Sequence, residues 1–293
     1  MKIIFLLITF LTFNSLAADG TLILAHGSMR GCGYDKPTTW EKNILKSVNQ
    51  IENKTTKTIQ VAFGMWNTKC FQKGIDKLKE KLQLKGEELT TLNVLPLFLS
   101  SHSAVIEMQK YIFLKKPNRP FPMPMATKIE FEGKINYLNA IDYHPIVSMV
   151  FLNRGHHLIH LAGEHGIRRA QMDYVVVMHG PVSDHDNIKW MEMGKQYIQD
   201  LQYLFPLKNV TLISLRDDAP EQVREKATKQ LQLAVKESIK NGRTALVLPL
   251  ILSAGGIDAG IKERLEGLDY VWSGEGLLPD QHFSHYLLQR LKD

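Results

Sequence analysis

Two histidines end apolar runs in the same way, His26 in LILAHGS and His179 in VVVMHGPVSD. A third, His102, follows VLPLFLSS, and that run is echoed by VLPLILSAGG at 247–256. Neutral imidazole binds Co²⁺, Ni²⁺ and Fe²⁺ well, and its ordinary pKa lets it take up or release a proton near neutrality. Histidines at the ends of rigid strands are therefore candidates for metal or proton chemistry. The hydroxyls of Ser28, Ser100 and Ser101, next to these histidines, are candidate contacts for a bound molecule. Gly27 permits a tight exit that keeps the His26 ring at the rim of a sheet.

The elements around these residues repeat. Apolar runs at 21–25, 58–65, 90–99 and 135–141 alternate with helical patterns at 38–51, 71–84, 103–114 and 145–161. The order recurs with strands at 174–179, 209–215, 244–252 and 268–272, and helices at 187–204, 219–240, 258–265 and 280–292. Strands without polar alternation, separated by helices, predict mainly parallel sheets buried on both faces. Pro96 lies 70 residues after His26 and Pro249 lies 70 after His179, so an offset of 153 superposes both pairs. The fold expected is α/β, two tandem doubly wound units with a four-stranded sheet each and a boundary near 166–171. In such sheets ligands gather at the carboxyl ends of the strands, which puts His26, His102 and His179 on one rim. Asp142–Pro145 reads as a helix start rather than a ligand pair, and Glu107 as a solvated helix residue or a third ligand. KKPNRPFPMPMA at 115–126 forbids a regular element, and is either a flap or a surface insertion.

Lys2, an apolar stretch over 3–13 and small residues up to Ala17 have the build of a secretory signal, with cleavage after Ala17 or Ala18. That divides the chain into a signal at 1–18, a first unit at 19–168 and a second at 169–293. No later run reaches the ~18 apolar residues of a membrane span, so an exported, periplasmic or secreted protein without stable membrane insertion is expected. The formal charge of +6 is spread without a basic run carrying aromatics, which argues against nucleic acid and suits an anionic small molecule. Cys32 and Cys70 both follow strand ends, so either a disulfide or two separate thiols fits export.

LILAHGS, VAFGMW, VLPLFLSSHS and AIDYHPIV stand in the order and spacing of the class II tetrapyrrole chelatases, and the chain resembles their sirohydrochlorin cobaltochelatase and ferrochelatase branch. The second half resembles the same unit again, as in the long two-unit members. The resemblance implies a lyase that inserts a divalent metal into a sirohydrochlorin-like tetrapyrrole of cobalamin-type biosynthesis. Co²⁺ comes first, with Ni²⁺ and Fe²⁺ as alternatives. It implies no organic cofactor and allows a homo-oligomer. The histidine of the family's HGS turn corresponds to His26, and the one after its LPLFL strand to His102; the pair would bind the metal and accept pyrrole protons. The second unit departs from the pattern, since Gly180–Pro181 follow His179 and Gly255 occupies the position of His102. One working site in the first unit is expected, with His179 as an auxiliary metal ligand.

Three other readings compete. An exported tetrapyrrole-, haem- or metal-binding protein could use the same fold without catalysis. RGHHLIHLAGEHGIRR at 154–169 places His156 and His160 on one helix face, but His157 stands where a zinc peptidase needs its glutamate, which leaves a metal-buffering patch or a polar helix end. A two-lobed binding protein of periplasmic type would not need the duplicated His-Gly turn.

Overall fold

The computed structural model describes residues 15–27, 31–33, 36–114 and 127–292. Most of the expected leader, Ser28 and the proline-rich segment at 115–126 lie outside these. Two sheets carry the chain. The first holds β1 (Leu16–Ala25), β2 (Thr58–Phe63), β3 (Glu87–Leu97) and β4 (Lys134–Tyr137) in the order β2-β1-β3-β4. The second holds β5 (Met172–Met178), β6 (Val210–Ser214), β7 (Thr244–Pro249) and β8 (Tyr270–Trp272) in the order β6-β5-β7-β8. All pairings are parallel, and the connecting helices are α1 (Thr39–Glu52), α2 (Thr68–Gln83), α3 (Ala104–Leu114), α4 (Pro145–Glu164), α5 (Asp184–Leu204), α6 (Glu221–Lys240), α7 (Gly256–Arg264) and α8 (Gln281–Arg290). The duplicated α/β architecture read from the sequence is observed.

The repeat extends to register. Leu24 lies opposite Pro96 in the first sheet and Val177 opposite Pro249 in the second, at the same offset of 153. A proline is tolerated there because the adjoining strand has ended. The Val94 carbonyl accepts from Leu138 N–H just past β4, and Pro96, two residues on, turns its missing donor to that same side. β1 begins at Leu16, before the expected 21, and its register against β3 shifts between Ala18 and Asp19.

Neighbouring residues of each strand enter different cores, which is why the runs are apolar throughout. Ile23 and Ala25 of β1 and Tyr174, Val176 and Met178 of β5 enter one inner cluster. Leu22 and Leu24 face an outer cluster with α2 and α3, and Val175 and Val177 face another with α6 and α7. The inner cluster is continuous across both units and contains α1, α4, α5 and α8.

The two units exchange helices in this inner layer. α4, from the first half, packs on β7, β8, α5 and α8. Gly155 lets it approach α5 and β5, since a Cβ would lie 2.7 Å from Leu201 Cδ1 of α5, and Tyr174 Oη of β5 donates to the Gly155 carbonyl at 2.8 Å. Arg154 donates to the carbonyls of Gly276 (3.0 Å) and Pro279 (3.1 Å), with Asp280 alongside. α8, from the second half, packs on α1 and α4; its Ser284 donates to Gln50 of α1, and Arg290 to the Asn139 carbonyl. The Asp142–Pro145 reading holds, with His144 as N-cap and Pro145 in the first turn.

Cys32 and Cys70 are joined by a disulfide with Cα atoms 5.2 Å apart. It ties the loop after β1 to the first turn of α2. Closing a loop with a sequence separation of 38 is worth about 4 kcal/mol on a chain-entropy model.

An exchanged inner layer makes the units fold as one. Arg154→Ala should cost about 2 kcal/mol by orphaning two carbonyls, and should lower the midpoint of a single transition seen by calorimetry. Two separated transitions in the parent protein would contradict this coupling.

Candidate functional site

The rim of the first sheet is built by close approach. Ala25 O accepts from Gly64 N at 2.9 Å, and a Cβ on Gly27 would lie 2.6 Å from Phe63 Cβ, so only glycine lets the chain leave β1 there. His26 turns onto Trp40, with ring centroids 4.3 Å apart. Trp40 sits in the first turn of α1, which a capping box fixes: the Glu41 carboxylate accepts from Thr38 N (2.7 Å) and Thr38 Oγ1 (2.9 Å). The two rings, tilted by 32°, carry two buried nitrogens without a hydrogen-bond partner, His26 Nδ1 and Trp40 Nε1. Native proteins rarely leave such atoms unpaired.

His26 is held neutral. Burial, and next the charge of His179, pull its pKa from 6.5 to about 4, against weaker opposing effects of Asp218 and Glu41. A partly buried imidazole held neutral in this way is a lone-pair donor across the physiological range.

His179 ends the corresponding strand of the second sheet, near enough for its charge to reach His26. Its Nδ1 lies 2.8 Å from the Gly180 carbonyl and its Nε2 3.6 Å from Asp218 Oδ2. Gly180 has φ +75, and a Cβ there would run into Ser214 Oγ. Arg216 clamps the turn: its backbone N–H donates to His179 O, its guanidinium reaches the carbonyls of Pro181 and Val182, and Nη1 pairs with Asp184.

His102 is exposed in the loop after β3, and the elements holding it come from both units. Its carbonyl accepts from Trp190 Nε1 at 2.7 Å, and its N–H donates to Ser100 Oγ at 3.2 Å. Ser101 Oγ donates to Asp142 Oδ2 at 2.7 Å and accepts from Ala140 N at 3.0 Å. Both serine hydroxyls are therefore engaged within the loop. Across from it stands Glu192, whose carboxyl is held below its usual pKa first by Lys189 and in smaller part by His102.

The structure thus brings His26 together with His179 and Asp218, and places His102 beside Trp190 and Glu192. No contact among the described residues joins His26 to His102. Nor does any group of three His, Cys, Asp or Glu among them have the spacing to enclose a metal ion. Glu107 is neither solvated nor a ligand at this rim; it is buried and pairs with Lys110 at 3.3 Å. Gly255, where the second unit lacks a histidine, faces Trp40, whose Cβ lies 3.4 Å from the position of a Gly255 Cβ. The histidines of α4 have separate partners: His156 stacks on Phe205, His157 meets Glu275 at 2.9 Å, and His160 meets Glu164 at 3.4 Å. Together these make a polar helix face rather than a shared ligand set.

Asp218, Trp40 and Arg216 escaped the sequence reading. The offset of 153 puts Met65 at the position of Asp218, so no repeated signal marks it. Position alone could have found it, since RDD at 216–218 follows the end of β6.

A histidine neutral when folded and protonated when unfolded weakens the fold as pH falls. Stability should be unaffected by His26 above pH 6.5 and decline from there towards pH 4, by about 3 kcal/mol from this residue alone. His26→Gln should flatten that decline in urea melts between pH 7.5 and 4.5; an unchanged slope would mean that the ring is solvated.

No protein-family model matches the chain, and no curated protein matches it in sequence. Among solved structures, SirB from Bacillus subtilis with Fe³⁺ matches at TM-score 0.58 and 16% identity, over 94% of both chains. DR2241 from Deinococcus radiodurans, a multi-domain protein with structural similarity to chelatases and two additional domains, matches at TM-score 0.52 and 11% identity. That match covers 94% of this chain and 54% of DR2241, so the chain spans about half the length of that protein. At these identities the likeness is one of fold, and the fold is that of two tandem chelatase-like α/β units.

Proposed function

We propose that the chain is a chelatase that inserts a divalent metal into a sirohydrochlorin-like tetrapyrrole, bound where the carboxyl ends of the two sheets face one another. The observation that carries this reading is His26: partly buried, held neutral, with a ring nitrogen that has no hydrogen-bond partner, packed at a tilt against Trp40 and near enough to His179 to feel its charge. A ligand for a borderline divalent ion needs such a lone pair, and the flat indole beside it suits a flat macrocycle. That SirB shares the fold and was solved with Fe³⁺ supports a metal here. Co²⁺ and the sirohydrochlorin class rest on the resemblance of the HGS and LPLFL motifs.

Insertion requires two pyrrole protons to leave as the ion arrives. In this reading His26 supplies the lone pair, and exposed His102 accepts the two protons in turn and passes each to water. Ser101 and Asp142 hold the loop that presents His102. The same fold without proton transfer would be a binding protein, so the test must separate the two. Incubated with sirohydrochlorin and Co²⁺, the protein should shift the pigment's visible bands faster than the uncatalysed control. His26→Ala and His102→Ala should each lower that rate about 10²-fold or more. Bound but unmetallated pigment would identify a carrier, and full activity in both variants would dismiss these residues.

We further infer export, with the first unit at 19–168 and the second at 169–293. The Cys32–Cys70 disulfide supports an oxidising compartment. Protein isolated from its native host should begin at residue 18 or 19 by mass spectrometry and label at no thiol before reduction. An intact Met1 with two free thiols would refute export.

A further inference from the structure

The two sheets end differently at their β2 and β6 edges. The ladder between β5 and β6 runs from the Asn209 carbonyl, which accepts from Tyr174 N, to Leu215 N, which donates to Met178 O. Alternate residues of β6 face that ladder, so the backbone N–H and C=O of Val210, Leu212 and Ser214 point away from it. Among the described residues nothing bonds to these backbone groups. The same positions of β2 are plugged. Lys81 Nζ donates to the Ile59 carbonyl at 3.0 Å while pairing with Glu52, and Gln60 Nε2 donates to the Val61 carbonyl at 2.9 Å. A lysine laid on an edge strand is a common device for keeping further strands off it.

The offset of 153 carries Ile59 and Val61 onto Leu212 and Ser214, but it carries Lys81 onto Ala234 and Gln60 onto Ile213. Both plugging donors are gone from the second unit. In their place a groove of about 480 Å³ lies along β6, with Met191 of α5 on one side and Ala227 and Ala234 of α6 on the other. The exposed stripe of α6 beside this groove identifies the occupant. Lys226, Gln230, Leu233 and Glu237 follow at helical spacing and are all exposed. Lys226 and Glu237 stand about three turns apart, and neither has an ion-pair partner among the described residues. Because β6 and β7 both run parallel to β5, α6 runs back along the sheet. Lys226 therefore lies towards the Ser214 end of the edge and Glu237 towards the Val210 end.

We propose that the β6 edge is where two copies of this chain join, strand to strand, so that their second sheets run on as one. A twofold axis through Leu212 sets an antiparallel β6 against the first. Leu212 then pairs with its own copy and Val210 with Ser214, which satisfies every backbone group the edge leaves free. The same axis reverses the α6 stripe. Each Lys226 meets the Glu237 of the other copy, and each Leu233 meets the other Gln230. A stripe that is positive at one end and negative at the other is complemented by itself turned round. One short strand and one helix stripe make a small interface, so the dimer is weak, with a Kd in roughly the micromolar range. This inference stands apart from the metal chemistry proposed above.

The test is sedimentation of the full chain from about 1 to 300 µM, a range that brackets such a Kd, and the parent should pass from monomer to dimer. Glu237→Lys sets lysine against lysine at both ends of the interface and should weaken the dimer about tenfold or more. Combining it with Lys226→Glu restores opposite charges and should bring the Kd back to within about threefold of the parent. Both positions are exposed, so the melting curves should not move. Ala234→Lys rebuilds the plug of the first unit and should leave a monomer throughout; if that buried position rejects a lysine and the variant does not fold, the charge swaps decide alone. Amide exchange at Val210, Leu212 and Ser214 should slow as the parent is concentrated and should not slow in Glu237→Lys. A parent that stays monomeric, or a dimer indifferent to the charge swaps, would overturn the proposal. So would an edge that takes an extended segment of another protein while the chain by itself remains a monomer.

Discussion

Each sheet is apolar on both faces, and each draws the cover of its inner face partly from the other half of the chain. α4 leaves the first unit to lie on β7 and β8, and α8 returns from the second to lie on α1. Burial of a parallel sheet is worth most when no apolar row meets water. One inner cluster shared by both units achieves this with four helices. The exchange also sets the mutual orientation of the sheets, because neither helix can move without uncovering the opposite unit.

The chemistry of the cleft depends on that orientation. Trp40 lies between His26 of its own unit and Gly255 of the other, and Trp190 reaches back to the His102 carbonyl. Each unit's first helix thus supports the other unit's third-strand loop. The duplicated turns, which sequence places far apart, come near enough for the charge of His179 to act on His26. The turns are unequal: in the first unit a partly buried, neutral histidine faces the cleft, and in the second a histidine beside a carboxylate.

Burial has a chemical consequence here. An imidazole at a strand end could serve as base or as ligand, and its sequence motif does not distinguish them. Desolvation does, because a ring that stays neutral down to about pH 4 keeps its lone pair but does not hold a proton at neutrality.

Much of this was legible in the chain itself. Unbroken apolar runs separated by amphipathic stretches determined parallel sheets, since burial on both faces leaves no polar alternation. The repeated 70-residue spacing determined the duplication, which reappears as Pro96 and Pro249 at equivalent register. The His-Gly turns marked the rim because only glycine permits that exit from the strand. Tertiary structure alone decided what those histidines face. Pairing across the cleft depends on which helices the units exchange, and spacing along the chain carries no record of it. Asp218 has no counterpart in the repeat, and Glu107 looked solvated until packing buried it against Lys110. Sequence states which groups are present at the strand ends, but distance and desolvation, set by the shared core, decide which of them meet and in what protonation state.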